Sequence, residues 1–263
     1  MKRGGEAVPL VLGVDIGSVG AKAALFDGQI LGTDLIPTGW SPGESGRQLT
    51  QRLLTSCGVE TGQLTGIVAT GYGRKTFLDA TRKVTEITCH ARGARFLSPD
   101  VRTVIDIGGQ DSKVIAMDAS GVVSDFAMND RCAAGTGRFI QMAAAALGFQ
   151  MDEFLNIPLQ GEELPISSMC AVFAETELVN HLAQGANRES LARGIFRSIS
   201  TRVAGMLGRL GWQPPIFFSG GLARSEALRV MLSQVLQCDV AVDSRSQFAG
   251  AIGAALIGWE GKA

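Results

Sequence analysis

Three short stretches carry the residue types that grip phosphate: Asp15-Ile-Gly-Ser18, Asp106-Ile-Gly-Gly-Gln110 and Ser219-Gly-Gly221. Glycine lets backbone N–H groups converge on phosphate oxygens with no side chain in the way. An aspartate beside such a turn can hold the water shell of Mg²⁺, which prefers carboxylate and water to a full protein cage. A lysine follows each aspartate seven residues on, Lys22 after Asp15 and Lys113 after Asp106. A single Asp-x-Gly after a strand is commonly just a turn. Two in register, with a late Gly-Gly, point to a nucleotide. No GxxxxGK[ST] is present, which excludes a P-loop, and no GxGxxG opens a helix with a distal acid, which argues against a dinucleotide site.

The cysteines are the second set of chemically capable residues, at positions 57, 89, 132, 170 and 238. No CxxC is present and His90 and His181 are the only histidines, so a self-contained zinc site has little local support. Cys132 and Cys170 each stand at the start of an expected helix, where the positive end of the dipole favours a thiolate ligand. The same positions also suit ordinary buried thiols, because free Cys is among the most buried residue types. Cys57, Cys89 and Cys238 lie among apolar neighbours and read as core. Both histidines read as structural, and Glu175 and Glu177 as solvated or helix-capping charges.

These residues need elements to position them. An apolar run up to Asp15, a strand at 23–26 and another at 29–36 surround the turn Asp27-Gly28. A helix is expected over 42–57, a strand over 66–70 ending at Gly71-Tyr-Gly73, and a helix over 85–97 stopped by Ser98-Pro99. The pattern then restarts with Thr103–Asp106 and strands at 114–117 and 122–128. Helices follow over 133–147, 169–184 and 188–210. A strand enters Ser219-Gly-Gly, and a helix at 224–236, a short strand at 240–242 and a helix at 247–258 close the chain. Two related strand–turn–strand units imply two lobes: 8–99 with 244–260, and 100–243.

The bulk numbers agree with a well-cored protein. The 263 residues exceed one usual domain, and 46% are hydrophobic against 19% charged. A net charge of −1 gives no electrostatic case for nucleic acid or an anionic membrane. No apolar stretch approaches the ~20 residues of a membrane span. The polar start, Met1-Lys-Arg-Gly-Gly-Glu6, lacks a signal-type core, so a cytoplasmic location is expected.

The nucleotide motifs, in their chain order, resemble those of the actin, heat-shock-70 and sugar-kinase superfamily. Within it, six stretches resemble the activators of 2-hydroxyacyl-CoA dehydratases and the ATPase subunits of benzoyl-CoA reductase. They are Gly13-Val-Asp-Ile-Gly-Ser18, Ala69-Thr-Gly-Tyr-Gly-Arg74, Thr88-Cys-His-Ala-Arg-Gly-Ala94, Val104-Ile-Asp-Ile-Gly-Gly-Gln-Asp111, Asn129-Asp-Arg-Cys-Ala-Ala-Gly-Thr-Gly-Arg-Phe139 and Phe248-Ala-Gly-Ala-Ile-Gly-Ala-Ala255. The resemblance implies a two-lobed α/β actin-like ATPase fold, of duplicated ribonuclease-H-like domains, with nucleotide in the cleft.

It further implies that Gly17, Ser18 and Lys22 surround the terminal phosphates with Gly108, Gly109 and Gln110 opposite. Gly135 and Thr136 would add a phosphate contact at a helix start, and Gly220 and Gly221 would back the ribose and adenine. Val19 and Gln247 complete the expected nucleotide contacts, with Asp15, Asp106 and Gln110 as the catalytic set. Gln110 stands where many relatives carry an acid, and a neutral amide implies slow, gated hydrolysis. Cys132 and Cys170 fall where the family places cluster ligands. A [4Fe–4S] cluster takes four thiolates, so one cluster per homodimer is implied. The implied function is ATP- and Mg²⁺-dependent electron donation to an iron–sulfur dehydratase or reductase, with ferredoxin or flavodoxin as donor. The rival expectations are a small-molecule kinase of the N-acetylhexosamine type and an actin-like structural ATPase.

Overall fold

Alternation with period two sorts the first strand. In β1 (Val11–Ile16), Leu12, Val14 and Ile16 point to one face of a sheet, and Val11, Gly13 and Asp15 to the other. In the computed structural model, residues 8–130, 133–167 and 170–261 are described. β2 (Gly20–Phe26) and β3 (Ile30–Pro37) follow as antiparallel hairpin strands. α1 (Pro42–Cys57) has proline in its first turn and ends at Gly58 with φ 66°. Its Leu49, Leu53 and Leu54 cover the Leu12–Val14–Ile16 face. β4 (Gly66–Thr70) and β5 (Arg82–Lys83) add parallel strands. α2 (Glu86–Leu97) is capped by the Thr85 hydroxyl, which accepts from the Thr88 N–H.

The arrangement is then repeated. β6 (Thr103–Ile107), β7 (Ser112–Met117) and β8 (Val123–Asn129) run antiparallel in turn. The helices α3 (Gly137–Ala146), α4 (Met151–Leu155), α5 (Ala171–Ala183) and α6 (Arg188–Leu207) follow. β9 (Ile216–Ser219), α7 (Glu226–Leu236) and β10 (Val240–Ala241) finish this part, with β9 parallel to β6 and β10 parallel to β9. The two sheets are ordered β3-β2-β1-β4-β5 and β8-β7-β6-β9-β10, the same sequence of strands. This is the duplicated ribonuclease-H-like architecture of actin-like ATPases.

α8 (Ala249–Glu260) returns to the first sheet, packing Ala251, Ile252, Ala255 and Leu256 on Ala24 and Phe26. It also crosses α2 at backbone distance. A Cβ on Gly93 would run into the Ala249 carbonyl, and one on Gly253 into the Cys89 carbonyl. The chain accordingly divides into two compact units: residues up to Pro99 with those from Phe248 onward, and Asp100–Gln247. In the second, α3 to α7 bury one apolar core against Ile105, Ile107, Ile216 and Phe218.

Several elements differ from the sequence reading, among them the added edge strand β5. The helix expected from Ala133 begins at Gly137, because the Thr136 N–H and hydroxyl both turn back onto the Ala133 carbonyl. The short α4, with its capping box of Gln150 and Glu153, was not foreseen. Among the described residues, no helix is long and apolar enough to cross a membrane.

Candidate functional site

The two Asp-x-Gly turns sit at equivalent ends of equivalent strands, and each aspartate faces the lysine that follows it across a hairpin. Asp15 pairs in register with Lys22, and Asp106 with Lys113. The side chains then diverge. In the second unit Lys113 is buried, its Nζ 3.3 Å from Asp106 and 2.8 Å from Asp111. Ser219, beside Asp106 on β9, donates its hydroxyl to the same carboxylate at 3.2 Å. In the first unit Lys22 makes no ion pair among the described residues. Its Nζ instead lies over the turn, within 4 Å of where a Cβ on Gly17 or Gly20 would stand. One lysine is engaged by its aspartate; the other makes no such contact among the described residues.

The turn beneath Lys22 is fixed by backbone bonds. The Gly17 N–H donates to Gly20, and the Thr38 hydroxyl donates to the Gly17 carbonyl at 2.7 Å. The Thr38 N–H reaches the Val19 carbonyl. Ser18 is half-buried and Val19 exposed.

In the second unit the loop Gly108-Gly109-Gln110 is docked onto the start of α3. The Gly137 and Arg138 N–H groups donate to the Gly108 and Gly109 carbonyls, each at 2.9 Å. With its amide oxygen turned to the guanidinium, Gln110 accepts from Arg138 at 3.0 and 3.3 Å; arginine has only donors, so this is the orientation that chemistry requires. Gly135, with φ 100°, and the fully buried Thr136 form the turn leading into α3. Gln247 is half-buried in the short turn 246–248.

Gly220 and an unforeseen partner, Gly71, close the strand ends. Each follows the fourth strand of its unit, with φ 88° and ψ 179° and 174° respectively. A Cβ on either would lie 2.5 Å from Oδ1 of the local aspartate, Asp106 or Asp15. That conformation is essentially restricted to glycine. The signal was legible, since Thr70-Gly71 matches Ser219-Gly220 in following an apolar strand. Gly221, by contrast, has open space where its Cβ would be.

His90 was read as structural, yet its Nε2 lies 3.9 Å from Oδ2 of Asp15. Glu177 is more than a solvated charge: one of its oxygens accepts from the Ser167 N–H and hydroxyl, both at 2.8 Å, tying the 162–167 segment to α5. Arg197 braces that segment on α6 through a two-point contact with Glu163 at 2.7 and 2.8 Å.

Of the expected cluster ligands, Cys132 lies outside the described residues. Cys170, an exposed free thiol, occupies the N-cap position of α5 without a side-chain capping bond. That helix is apolar on two sides. Ala174 and Leu178 face the core, while Val172, Phe173 and Val179 face outward, Phe173 at 68% exposure. Cys89 is the opposite case: fully buried, with burial pushing its thiol up to about 12 and the Thr70 hydroxyl offsetting part of that. Among the described residues, no group of three or more His, Cys, Asp or Glu converges as a metal site.

Residues 12–258 match the BadF/BadG/BcrA/BcrD ATPase family. The activator of lactoyl-CoA dehydratase from Anaerotignum propionicum is 39% identical over 252 residues, covering 95% of this chain and 97% of that protein. Among solved structures, the activator of the 2-hydroxyisocaproyl-CoA dehydratase from Clostridium difficile, with bound ADPNP, superposes with a TM-score of 0.90 at 35% identity, covering 96% of this chain and 95% of that one. Component A of the Acidaminococcus fermentans (R)-2-hydroxyglutaryl-CoA dehydratase gives 0.92 at 33% identity, covering 97% and 99%.

Proposed function

The chain belongs to the BadF/BadG/BcrA/BcrD ATPase family, and from that membership we propose an ATP-hydrolysing activator that passes low-potential electrons to a 2-hydroxyacyl-CoA dehydratase or a related iron–sulfur reductase. Relatives named as dehydratase activators, matched over nearly their full length, support the choice of partner. The observation that carries the redox half is Cys170: an exposed thiol on a helix N-terminus, bordered by the outward Val172 and Phe173. An apolar surface around a free thiol suits burial against a second copy of the chain.

Cys132 and Cys170 offer two thiols per chain, and a [4Fe–4S] cluster takes four. A two-fold homodimer supplies the set. Such a cluster, when bound, carries one electron at a time, received from ferredoxin or flavodoxin. The reduced thiols this requires fit the cytoplasm.

The residues described support the remaining roles in this reading. Lys22 and the backbone of 17–20 attract the terminal phosphates, and Asp15 and Asp106 orient the hydration shell of the accompanying Mg²⁺. Gln110, its oxygen occupied by Arg138, presents N–H groups to phosphate or water and cannot act as a strong base. Hydrolysis is therefore slow. Because α3 holds Gly108 and Gly109 by its first N–H groups, displacement of that loop pulls on the 133–136 turn, which directly follows Cys132. Nucleotide state is coupled to the electron carrier only if it favours one arrangement of that turn over another.

Anaerobic purification with iron analysis tests the reading. The dimer should hold about four irons, and Cys132→Ser, Cys170→Ser and Phe173→Asp should each lose them, the last by yielding monomers. Four irons on a monomer, or iron kept by the double cysteine variant, would sink it. Zinc at one per chain would point to a different metal site.

A further inference from the structure

The duplication poses a question. Asp106 is held by Lys113 and Ser219, whereas Asp15 lacks the lysine contact because Lys22 lies over its turn. Asp15 is only 6% exposed, and a buried carboxylate without a polar partner is costly. Its position within β1 directs it to the α2 and α8 side, with Val11 and Gly13. On that side stands His90, 4% exposed, at the second turn of α2.

Gly250, in the first turn of α8, makes the meeting possible. A Cβ there would lie 2.7 Å from Oδ2 of Asp15 and 2.8 Å from Nε2 of His90, so the absence of a side chain opens the gap in which the two atoms face each other. Gly71 encloses the other carboxylate oxygen, Oδ1. At 3.9 Å, Nε2 and Oδ2 stand less than about 1 Å beyond hydrogen-bond reach, and catalytic contacts commonly tighten when ligand binds. Neighbouring residues on α2 reach the same strand ends. Glu86 lies 3.6 Å from Arg74, which donates to the Gly71 carbonyl at 2.9 Å.

We infer that His90 is the positioning residue of the first phosphate turn, fixing the Asp15 carboxylate through Nε2 in the gap left by Gly250, and that this contact releases Lys22 for the nucleotide. The inference rests on the proposal that Asp15 serves the Mg²⁺–nucleotide site. It assigns a role in catalysis to a histidine that does not touch substrate.

The test compares His90→Gln, whose amide nitrogen reaches about as far as Nε2, with His90→Asn, which falls short, and His90→Ala. Two readouts are taken on the anaerobic homodimer: steady-state ATP hydrolysis, and the affinity of Mn²⁺ for the ADP complex by EPR. Loss of an outer-shell partner of a metal site costs about 10–100-fold in activity or metal affinity. His90→Asn and His90→Ala should fall in that range in kcat and in Mn²⁺ affinity, with KM for ATP changed little. His90→Gln should stay within about threefold of native. Gly250→Ala, which keeps both side chains but fills the gap, should match His90→Asn.

Native kcat and Mn²⁺ affinity in His90→Asn would overturn the inference. So would losses that track the urea midpoint while Mn²⁺ affinity holds, the mark of a merely structural histidine. If His90→Ala does not fold, the Gln–Asn pair decides. Asp15→Asn runs alongside: unchanged hydrolysis there rejects the nucleotide-site reading itself and this inference with it. A dead Asp15→Asn with a normal His90→Asn rejects the inference alone.

Discussion

Replacing Gly220 by alanine adds one methyl group to a backbone that has no room for it. With φ 88° and ψ 179° the residue occupies a region essentially reserved for glycine, where an L side chain costs ~1–3 kcal/mol. The new Cβ would also stand 2.5 Å from Oδ1 of Asp106 and 2.6 Å from the Ile107 carbonyl. The carboxylate is the softer obstacle, but it is buried and bonded to Ser219 and Lys113. Losing one bond to a buried charge costs a further ~1.5–3 kcal/mol. The two effects together amount to roughly 2.5–6 kcal/mol, a large share of the ~5–15 kcal/mol that holds a domain folded. At ~2–4 °C per kcal/mol for a chain of this size, Tm should drop by roughly 5–24 °C. Circular dichroism measures the stability loss by urea unfolding and the Tm shift by thermal melting, against a built-in control. Gly221→Ala changes the next residue, whose Cβ meets nothing within 4 Å, and should stay within about 0.5 kcal/mol of native. Equal midpoints for the two variants would refute the steric reasoning.

The two hairpin lysines should respond in opposite ways. Lys113→Met strands the buried Asp106 charge and should cost ~3–5 kcal/mol in urea unfolding, while Lys22→Met should leave stability nearly native and abolish ATP binding by calorimetry. The cysteines should likewise separate by reactivity: iodoacetamide at pH 8 should label Cys170 in native protein freed of any bound metal and spare Cys89, as read by peptide mass spectrometry. Because the Cys89 thiol is raised from 9.0 to about 12 in the folded state, the unfolded chain loses that proton first as pH rises. Its contribution is intact below pH 9 and declines between 9 and about 12, so Cys89→Ala should flatten the alkaline fall in the urea midpoint.

The strands and their glycine turns were legible because apolar alternation ending in Asp-x-Gly is a local signal, and its recurrence exposed the duplication. The unequal fate of the two lysines was not. Lys22 and Lys113 stand at the same spacing from their aspartates, but Asp111 and Ser219, brought in by a turn and a distant strand, add contacts to Lys113 and Asp106 that the chain order does not announce. His90 was hidden for a similar reason. Ligand spacing along the chain says nothing about a contact made by packing α2 and α8 against the end of β1. The start of α3 was misplaced because Ala133 and Ala134 favour helix by composition, while the folded-back Thr136 and the positive φ of Gly135 override that preference. Glu177 lost its partner in the sequence for want of any sign that Ser167 would fold onto it.

The return of the last helix to the first sheet has a consequence for biosynthesis. α8 is buried along most of its length and covers the side of β1 that carries Asp15. Until it leaves the ribosome, that face of the first sheet lacks the helix that covers most of it, although its strands were made first. Residues 100–247 emerge in between, and at ~5–20 residues per second the wait is on the order of ten to thirty seconds. The unit translated second can therefore complete its core before the unit translated first. A chain stalled before α8 would display Ala24, Phe26 and Val68 to the cytosol, an apolar signal of the kind that chaperones and proteases read.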